Sequence, residues 1–190
     1  MSPRQTFLRS EQGSATVEFV VIFMAFIAIV FFVVEVTLYM FFMASLEKAA
    51  QAGVRAAVVS SPVAPGVPLT IGRGATGIYG HKCSFSSTTC ASIPTISCTG
   101  ATCDATGFTR ILNHMQGFNG RIAANNVTIT YADPGSGIGF AGGPSAPMVT
   151  VTVSGVPFQT GILGLLLGDA SGLATLPARS ASMTGEDLAP

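Results

Sequence analysis

The sequence lacks tryptophan and has few charges: charged residues make up 9% of its 190 residues, and nine basic side chains balance nine acidic ones. Such a chain has no basic face that could neutralise phosphates, which argues against nucleic acid as a partner. Proline is absent between Pro3 and Pro62, and glycine is absent between Gly13 and Gly53. We therefore expect one uninterrupted N-terminal helix over about residues 14–60.

An apolar run fills most of this segment. The 26 residues from Phe19 to Ala44 carry a single charge, Glu35. At about 1.5 Å per residue the run covers roughly 39 Å as a helix, more than the ~30 Å hydrocarbon core of a bilayer. We predict a transmembrane helix whose membrane part is about residues 17–44. A cleaved secretory signal is the alternative, but its apolar region would be shorter, so we expect the helix to remain as an anchor.

Beyond Ala44 the helix becomes amphipathic. Apolar and small residues recur at three- and four-residue steps, which predicts that the distal third of the helix lies against a globular domain. These residues are Leu46, Ala50, Gly53, Val54 and Ala57.

Residues 62–190 are enough for one modest domain. Alternating apolar and polar residues predict strands at 127–131 and 148–153, paired antiparallel across a long loop, and a third strand at 174–182. A one-sided apolar pattern predicts a helix at about 107–117. The apolar segment 158–167 is too short to span a membrane, so we expect a buried or interfacial helix there, with core packing favoured over membrane contact.

The predicted fold class is α+β. It consists of a long N-terminal transmembrane helix, followed by a small antiparallel-sheet ectodomain with one or two short helices. Two Gly-x-Gly-x-x-Gly patterns precede no helix, and His114 with Asp104 or Asp133 lacks the local context of a catalytic triad. We therefore expect no enzymatic activity and no cofactor.

Four cysteines, Cys83, Cys90, Cys98 and Cys103, lie in a loop-like segment, 83–103, that can bury little apolar surface. Disulfides are a plausible way to order it, and they would place the domain in an oxidising compartment. Zinc is a weaker alternative because the spacing contains no Cys-x2-Cys pair, and free thiols are a third. Three disulfide pairings are open, of which we favour the sequential one.

The segment Gly13-Ser14-Ala15-Thr16-Val17-Glu18-Phe19 resembles the prepilin processing site of type IV pilin-like proteins. In that family a membrane peptidase cuts after the glycine, and the fifth mature residue is glutamate. The resemblance implies a leader at 1–13, a new N-terminus at Ser14, and Glu18 as the fifth residue. Val33-Val34-Glu35 and the later segment 49–57 are similar to TadE-like pseudopilins of the tight-adherence (Flp) pilus system, which pair one hydrophobic helix with a small periplasmic domain.

Two acidic residues of the helix have expected roles, Glu18 from this resemblance and Glu35 from its position along the helix. Glu18 would face the freed N-terminal ammonium of a neighbouring subunit and set the axial register; the alternative is a simple interfacial carboxylate. Glu35 lies roughly 25 Å further along the helix, near the opposite face of a ~30 Å core. Either both carboxylates reach the headgroups, or Glu35 enters the core and needs a partner or a proton.

The resemblance implies a minor pseudopilin that takes part in pilus assembly. Its partners would be other pilins and pseudopilins, prepilin peptidase, the inner-membrane assembly machinery and the lipid bilayer. We expect a single-pass protein of the bacterial cytoplasmic membrane, with its N-terminus inside and residues 62–190 in the periplasm, and possible incorporation in a surface pilus. Two other classes stay open: a major filament subunit, and a membrane-anchored envelope binding domain that never enters a filament.

Overall fold

The computed structural model describes residues 12–71, 79–83, 90, 94–134, 139–143, 146–161, 164, 173–185 and 188. The described residues divide into two compact units, one within 1–41 and 159–174, the other within 42–158 and 175–190. The first element is a single helix, α1, Gln12–Val58. It ends two residues before the predicted end because the Ser60 N–H and hydroxyl both donate to the Ala57 carbonyl, at 3.5 and 3.3 Å, and close the last turn before Pro62.

Six strands and a second helix follow α1 in the described part of the chain. In chain order they are β1 (Ile96–Thr99), α2 (Ala105–Gln116), β2 (Val127–Ala132), β3 (Met148–Val153), β4 (Pro157–Gln159), β5 (Leu173–Thr175) and β6 (Arg179–Thr184). Strands β1, β2, β3 and β6 form an antiparallel sheet in that order, while β4 and β5 form a separate pair. The predicted α+β class and the antiparallel pairing of β2 with β3 are confirmed.

Two strand predictions need correction. The segment predicted as one strand, 174–182, is divided into β5 and β6, because Pro177 between them has no backbone N–H to donate to a ladder. Strand β1 lies in the cysteine-rich segment, which we expected to be loop-like. The segment forms a strand because it pairs with β2, with Cys98 opposite Ile129. Its local composition alone does not predict this.

The main sheet has one buried and one polar face. Side chains of β2 and β3 on the inner face are fully buried: Val127, Ile129, Tyr131, Val149, Val151 and Val153. The strand register aligns hydroxyl residues on the outer face in two rows, Ser97-Thr130-Thr150-Ser182 and Thr99-Thr128-Thr152-Ser180. Neighbouring hydroxyls are 2.9 Å apart at Thr99 and Thr128, so part of this face satisfies its own hydrogen bonds.

Helix α2 begins two residues before its predicted start. The Asp104 carboxylate accepts the Gly107 N–H at 2.8 Å and so caps the helix. The face of α2 that packs into the core is formed by Phe108, Ile111 and Met115, as the spacing predicts.

Two disulfides connect the four cysteines, Cys83 with Cys90 and Cys98 with Cys103. This is the sequential pairing, and none of the four thiols is left free for zinc. The second bond joins β1 to the residue just before the Asp104 cap, so it connects the edge of the sheet to the start of α2.

The late apolar segment does not begin as a helix. Phe158, where the predicted helix starts, lies in β4 and is buried. Residues 162, 163 and 165–167, which carry the rest of that prediction, lie outside the described residues.

The Tyr131 side chain ties the core to the chain that leaves α1. Its hydroxyl is fully buried with the ring and accepts the Val63 N–H at 3.2 Å. Burial raises the pKa of the Tyr131 phenol above its usual value of 10.0, and the bond from Val63 offsets this only in part. The neutral phenol is therefore favoured in the folded state, so its contribution to stability is present below pH 10.0 and is lost as the pH rises through the higher folded pKa.

We predict that Tyr131→Phe lowers the free energy of unfolding by about 1–3 kcal/mol at pH 7, because the buried Val63 N–H loses its acceptor. The variant has no ionisable phenol at this position, so it should lose less stability than the wild type as the pH rises above 10.0. Denaturant unfolding followed by circular dichroism between pH 7 and alkaline pH measures both effects. Tyr79→Phe, whose ring is 69% exposed, is the control and should change stability by less than about 0.5 kcal/mol. Equal losses in the two variants would contradict the assignment.

Candidate functional site

The feature that best indicates function is the apolar surface of α1 from Ala15 to Phe41, which the described chain leaves uncovered. Large apolar side chains along it are 36–67% exposed. They include Val17, Phe19, Val20, Val21, Ile22, Phe23, Met24, Phe26, Ile29, Val30, Phe31, Phe32, Val33, Val34, Leu38, Met40 and Phe41. Exposed apolar surface of this extent marks contact with a membrane or with other proteins. Among the described helices, α1 is long and apolar enough to cross a membrane, with mean hydropathy 3.0 in its most apolar window.

The environment of α1 changes abruptly near Phe42. Phe41 is 66% exposed and Met43 is 8% exposed. From there to its end the helix is part of the second unit and buries one face. Its buried members are Met43, Ser45, Leu46, Ala49, Ala50, Gly53, Val54, Ala57 and Val58. The prediction that the distal third of the helix packs into a domain is confirmed at every residue named for it.

A small cluster of side chains contacts the helix where its burial begins. We call it the junction cluster; it consists of Phe42, Ser45, Asn119, Arg121 and Phe158. The Phe42 ring meets Phe158 edge-on at 5.5 Å between centroids, and the Arg121 guanidinium lies 4.5 Å from the Phe42 ring centre. The Asn119 amide donates to the Ser45 hydroxyl at 2.9 Å, and this hydroxyl donates to the Phe42 carbonyl at 2.8 Å. Because Asn119 and Ser45 are both buried, this bond satisfies groups that would otherwise be costly to desolvate.

The sequence did not predict the junction cluster. Its members come from the helix, the turn after α2 and β4, and no local pattern relates them. One signal was available: Ser45 is the first residue after the apolar run that has a short polar side chain, at the point where the buried face begins.

Gly53 allows close packing of α1 on the sheet and α2. A Cβ atom at this position would lie 2.7 Å from the Met115 sulfur and 3.3 Å from Val151 Cγ1. Since Met115 and Val151 are both fully buried, neither side chain has free space to move into. The absence of a side chain therefore lets three elements meet at one point.

The residues of the predicted processing site lie at the start of α1. Gly13 and Ser14 are helical and belong to its first turn, whereas residues 1–11 of the predicted leader lie outside the described residues. Glu18 follows one turn later on an exposed part of the helix. Ser14 and Glu18 are four residues apart, so they are neighbours on one side of the helix.

Glu35 has a partner far away in sequence. Its carboxylate is half-buried and accepts the Gly161 backbone N–H at 2.5 Å. Glu35 and Gly161 belong to the same unit. A bond between residues 126 positions apart leaves no sequence signal, which is why the sequence left open whether Glu35 reaches the headgroups or needs a partner or a proton.

Comparison with known families agrees with this geometry. A family described as TadE-like protein matches residues 13–55. The N-terminal segment is TadE-like. This confirms the resemblance seen in the sequence. No curated protein and no solved structure matched the chain.

The TadE-like segment includes both the exposed part of α1 and most of the part that is buried in the domain. It starts at Gly13, contains Glu18 and Glu35, and continues past Gly53 to Arg55 on the buried portion. The family likeness therefore covers the exposed apolar surface together with most of the helical face that packs into the domain, and it does not extend to the sheet.

We predict that Gly53→Ala destabilises the domain although alanine favours helix. The gain in helix propensity is about 1 kcal/mol, whereas overpacking a filled core costs roughly 1–3 kcal/mol, so the free energy of unfolding should fall by about 1 kcal/mol. In a Met115→Ala background the same change should be neutral or stabilising, because the obstructing side chain is gone. Gly120→Ala, where a Cβ would meet nothing within 4 Å, is the control. Denaturant unfolding of the four variants measures the coupling, and additive effects would contradict the packing argument.

Proposed function

We propose that the chain is a minor pseudopilin of a tight-adherence (Flp-type) pilus system, which packs its N-terminal helix among other pilin helices during assembly. One observation carries the proposal: the TadE-like segment bears an apolar helical surface that the described chain itself does not cover. In this proposal the helix first anchors the protein in the cytoplasmic membrane and then takes part in assembly. Prepilin peptidase releases it by cutting between Gly13 and Ser14.

The length of the exposed surface supports assembly in addition to anchoring. From Ala15 to Phe41 there are 27 residues, which cover about 40 Å as a helix, compared with ~30 Å for the hydrocarbon core. About two helical turns of apolar surface are thus left without hydrocarbon around them. Neighbouring helices of an assembly would bury this surplus, and a simple membrane tether would leave it exposed to water.

The position of Glu18 supports a role in subunit register. The carboxylate is exposed, and it lies one turn from the residue that would become the new N-terminus. After cleavage, the Ser14 ammonium of one subunit and Glu18 of the next would form an oppositely charged pair in a medium of low dielectric constant. A subunit in the wrong axial position would leave both charges unpaired, which is costly, so the pair selects one register.

The disulfides support an extracytoplasmic position for residues 62–190. Disulfides persist in oxidising compartments such as the bacterial periplasm and are rare in the cytosol. A short N-terminal tail inside and the domain outside is the topology that places Cys83, Cys90, Cys98 and Cys103 in such a compartment.

Processing is tested by intact-mass measurement of the protein from cells with and without prepilin peptidase. We expect the mass to be lower by that of residues 1–13 when the peptidase is present, with Ser14 as the first residue. Glu18→Ala, which leaves the glycine unchanged, serves to show that cleavage and register are separate steps. A chain that starts with Met1 in both strains would remove the pseudopilin proposal.

Replacing Glu18 by alanine should leave membrane insertion intact and impair incorporation. Loss of one partner from a poorly solvated ion pair is strongly unfavourable, so we expect the amount of chain that co-isolates with pilus components to fall on the order of tenfold or more. Glu47→Ala, which removes an exposed carboxylate beyond the apolar run, is the matched control and should incorporate normally. Normal incorporation of both variants would exclude register pairing. A wild-type chain that never co-isolates with pilus components would instead favour an anchored envelope binding domain.

A further inference from the structure

Glu35 is the only charged residue in the apolar run, and its carboxylate forms a hydrogen bond within the chain. Its carboxylate accepts the Gly161 N–H at 2.5 Å, and a hydrogen bond to a charged acceptor is roughly twice as strong as one between neutral groups. This bond joins a helix residue to a backbone donor that follows β4. The chain at Gly161 is therefore held beside the helix at the height of Glu35.

The height of Glu35 coincides with one face of a bilayer. Glu35 follows Glu18 by 17 residues, which is about 25 Å along a helix and close to the ~30 Å thickness of the hydrocarbon core. All large apolar side chains of this stretch in the described chain are exposed, except Ile27, which is partly covered. A helix that spans the core with this stretch can place both carboxylates near the headgroups, where a charge costs far less than in hydrocarbon.

The residues next to Gly161 have the mixed character of an interfacial segment. Gln159, at the end of β4, is exposed, whereas Thr160 is 6% exposed. The Thr160 hydroxyl has no hydrogen-bond partner among the described residues, so the polar contact to the helix runs through the Gly161 backbone. In sequence, no charged residue follows Gly161 until Asp169.

We propose that Glu35 marks the outer surface of the bilayer and, through the Gly161 N–H, holds the exposed residues Gln159 and Gly161 in the lipid headgroup layer as a second membrane contact. The partner is the lipid surface, because the bond lies at the end of an apolar stretch nearly as long as the hydrocarbon core is thick, and because Gln159 and Gly161 beside it are exposed. The proposal rests on membrane insertion of α1, and its test separates the two.

The test uses spin labels on single added cysteines. All four native cysteines are in disulfides, so one added thiol is a unique attachment site. The mature full-length chain is placed in phosphatidylcholine–phosphatidylglycerol bilayers with a label at Gln159, at Phe26 in the middle of the stretch, or at Asn113 on the exposed side of α2. Collision of the label with oxygen, which concentrates in lipid, is compared with collision with a water-soluble nickel complex. We expect the ratio of the two to be highest at Phe26, lowest at Asn113, and intermediate at Gln159.

Variants of Glu35 test whether the bond causes this placement. Glu35→Ala removes the acceptor, so the ratio at Gln159 should fall to the value at Asn113 while the value at Phe26 is unchanged. Glu35→Gln keeps an oxygen acceptor and should retain most of the intermediate ratio. Thr37→Ala is the control for removing a polar group from the same helix, because the Thr37 hydroxyl donates only locally to the Val33 carbonyl at 2.8 Å in the described structure, and it should change nothing. Unchanged label mobility at Asn113 shows that the domain is folded in each variant.

Each other outcome overturns the proposal. If Phe26 is deep in lipid but Gln159 is as accessible to nickel as Asn113, α1 is an anchor and the second contact does not exist. If the ratio at Gln159 is the same with Glu35→Ala, or falls as far with Glu35→Gln as with Glu35→Ala, the hydrogen bond does not hold the segment. If Phe26 itself is accessible to nickel, membrane insertion fails as well.

Discussion

The structure depends on one helix that serves two environments. Up to Phe41 its side chains are left for lipid or other proteins, and from Met43 onward one face is part of a domain core. Because the helix is continuous, with no proline between Pro3 and Pro62, the two environments are connected by backbone hydrogen bonds rather than by a linker. The change from exposed to buried side chains takes place between Phe41 and Met43, within about half a helical turn.

Small side chains make this change possible. Gly53 lets the helix approach Met115 and Val151 closely, and Ala49, Ala50 and Ala57 on the same portion of the helix are fully buried. The exposed stretch is instead rich in phenylalanine and branched aliphatic residues, including the stacked rings of Phe19 and Phe23. The helix thus has small residues where it packs into the domain and bulky apolar residues where the described chain leaves it exposed.

Most of the architecture could be predicted because it follows from local patterns of apolar and polar residues. Length and uniform apolar character identify the apolar run, and the spacing of apolar residues identifies the amphipathic end of α1, α2, β2 and β3. What the sequence could not predict depends on residues that meet only in the fold: β1 is ordered by pairing with β2, the junction cluster joins three elements, and Glu35 bonds to Gly161. The division of the last predicted strand follows from Pro177, which lies between β5 and β6.

The disulfides close very small loops. The paired cysteines are seven and five residues apart, so each bond joins neighbours along the chain. A chain cross-linked in this way keeps the same route to its native topology whether oxidation comes early or late. Neither bond fixes distant segments relative to each other, so the pairing of β1 with β2 and of β3 with β6 is left to the strands themselves.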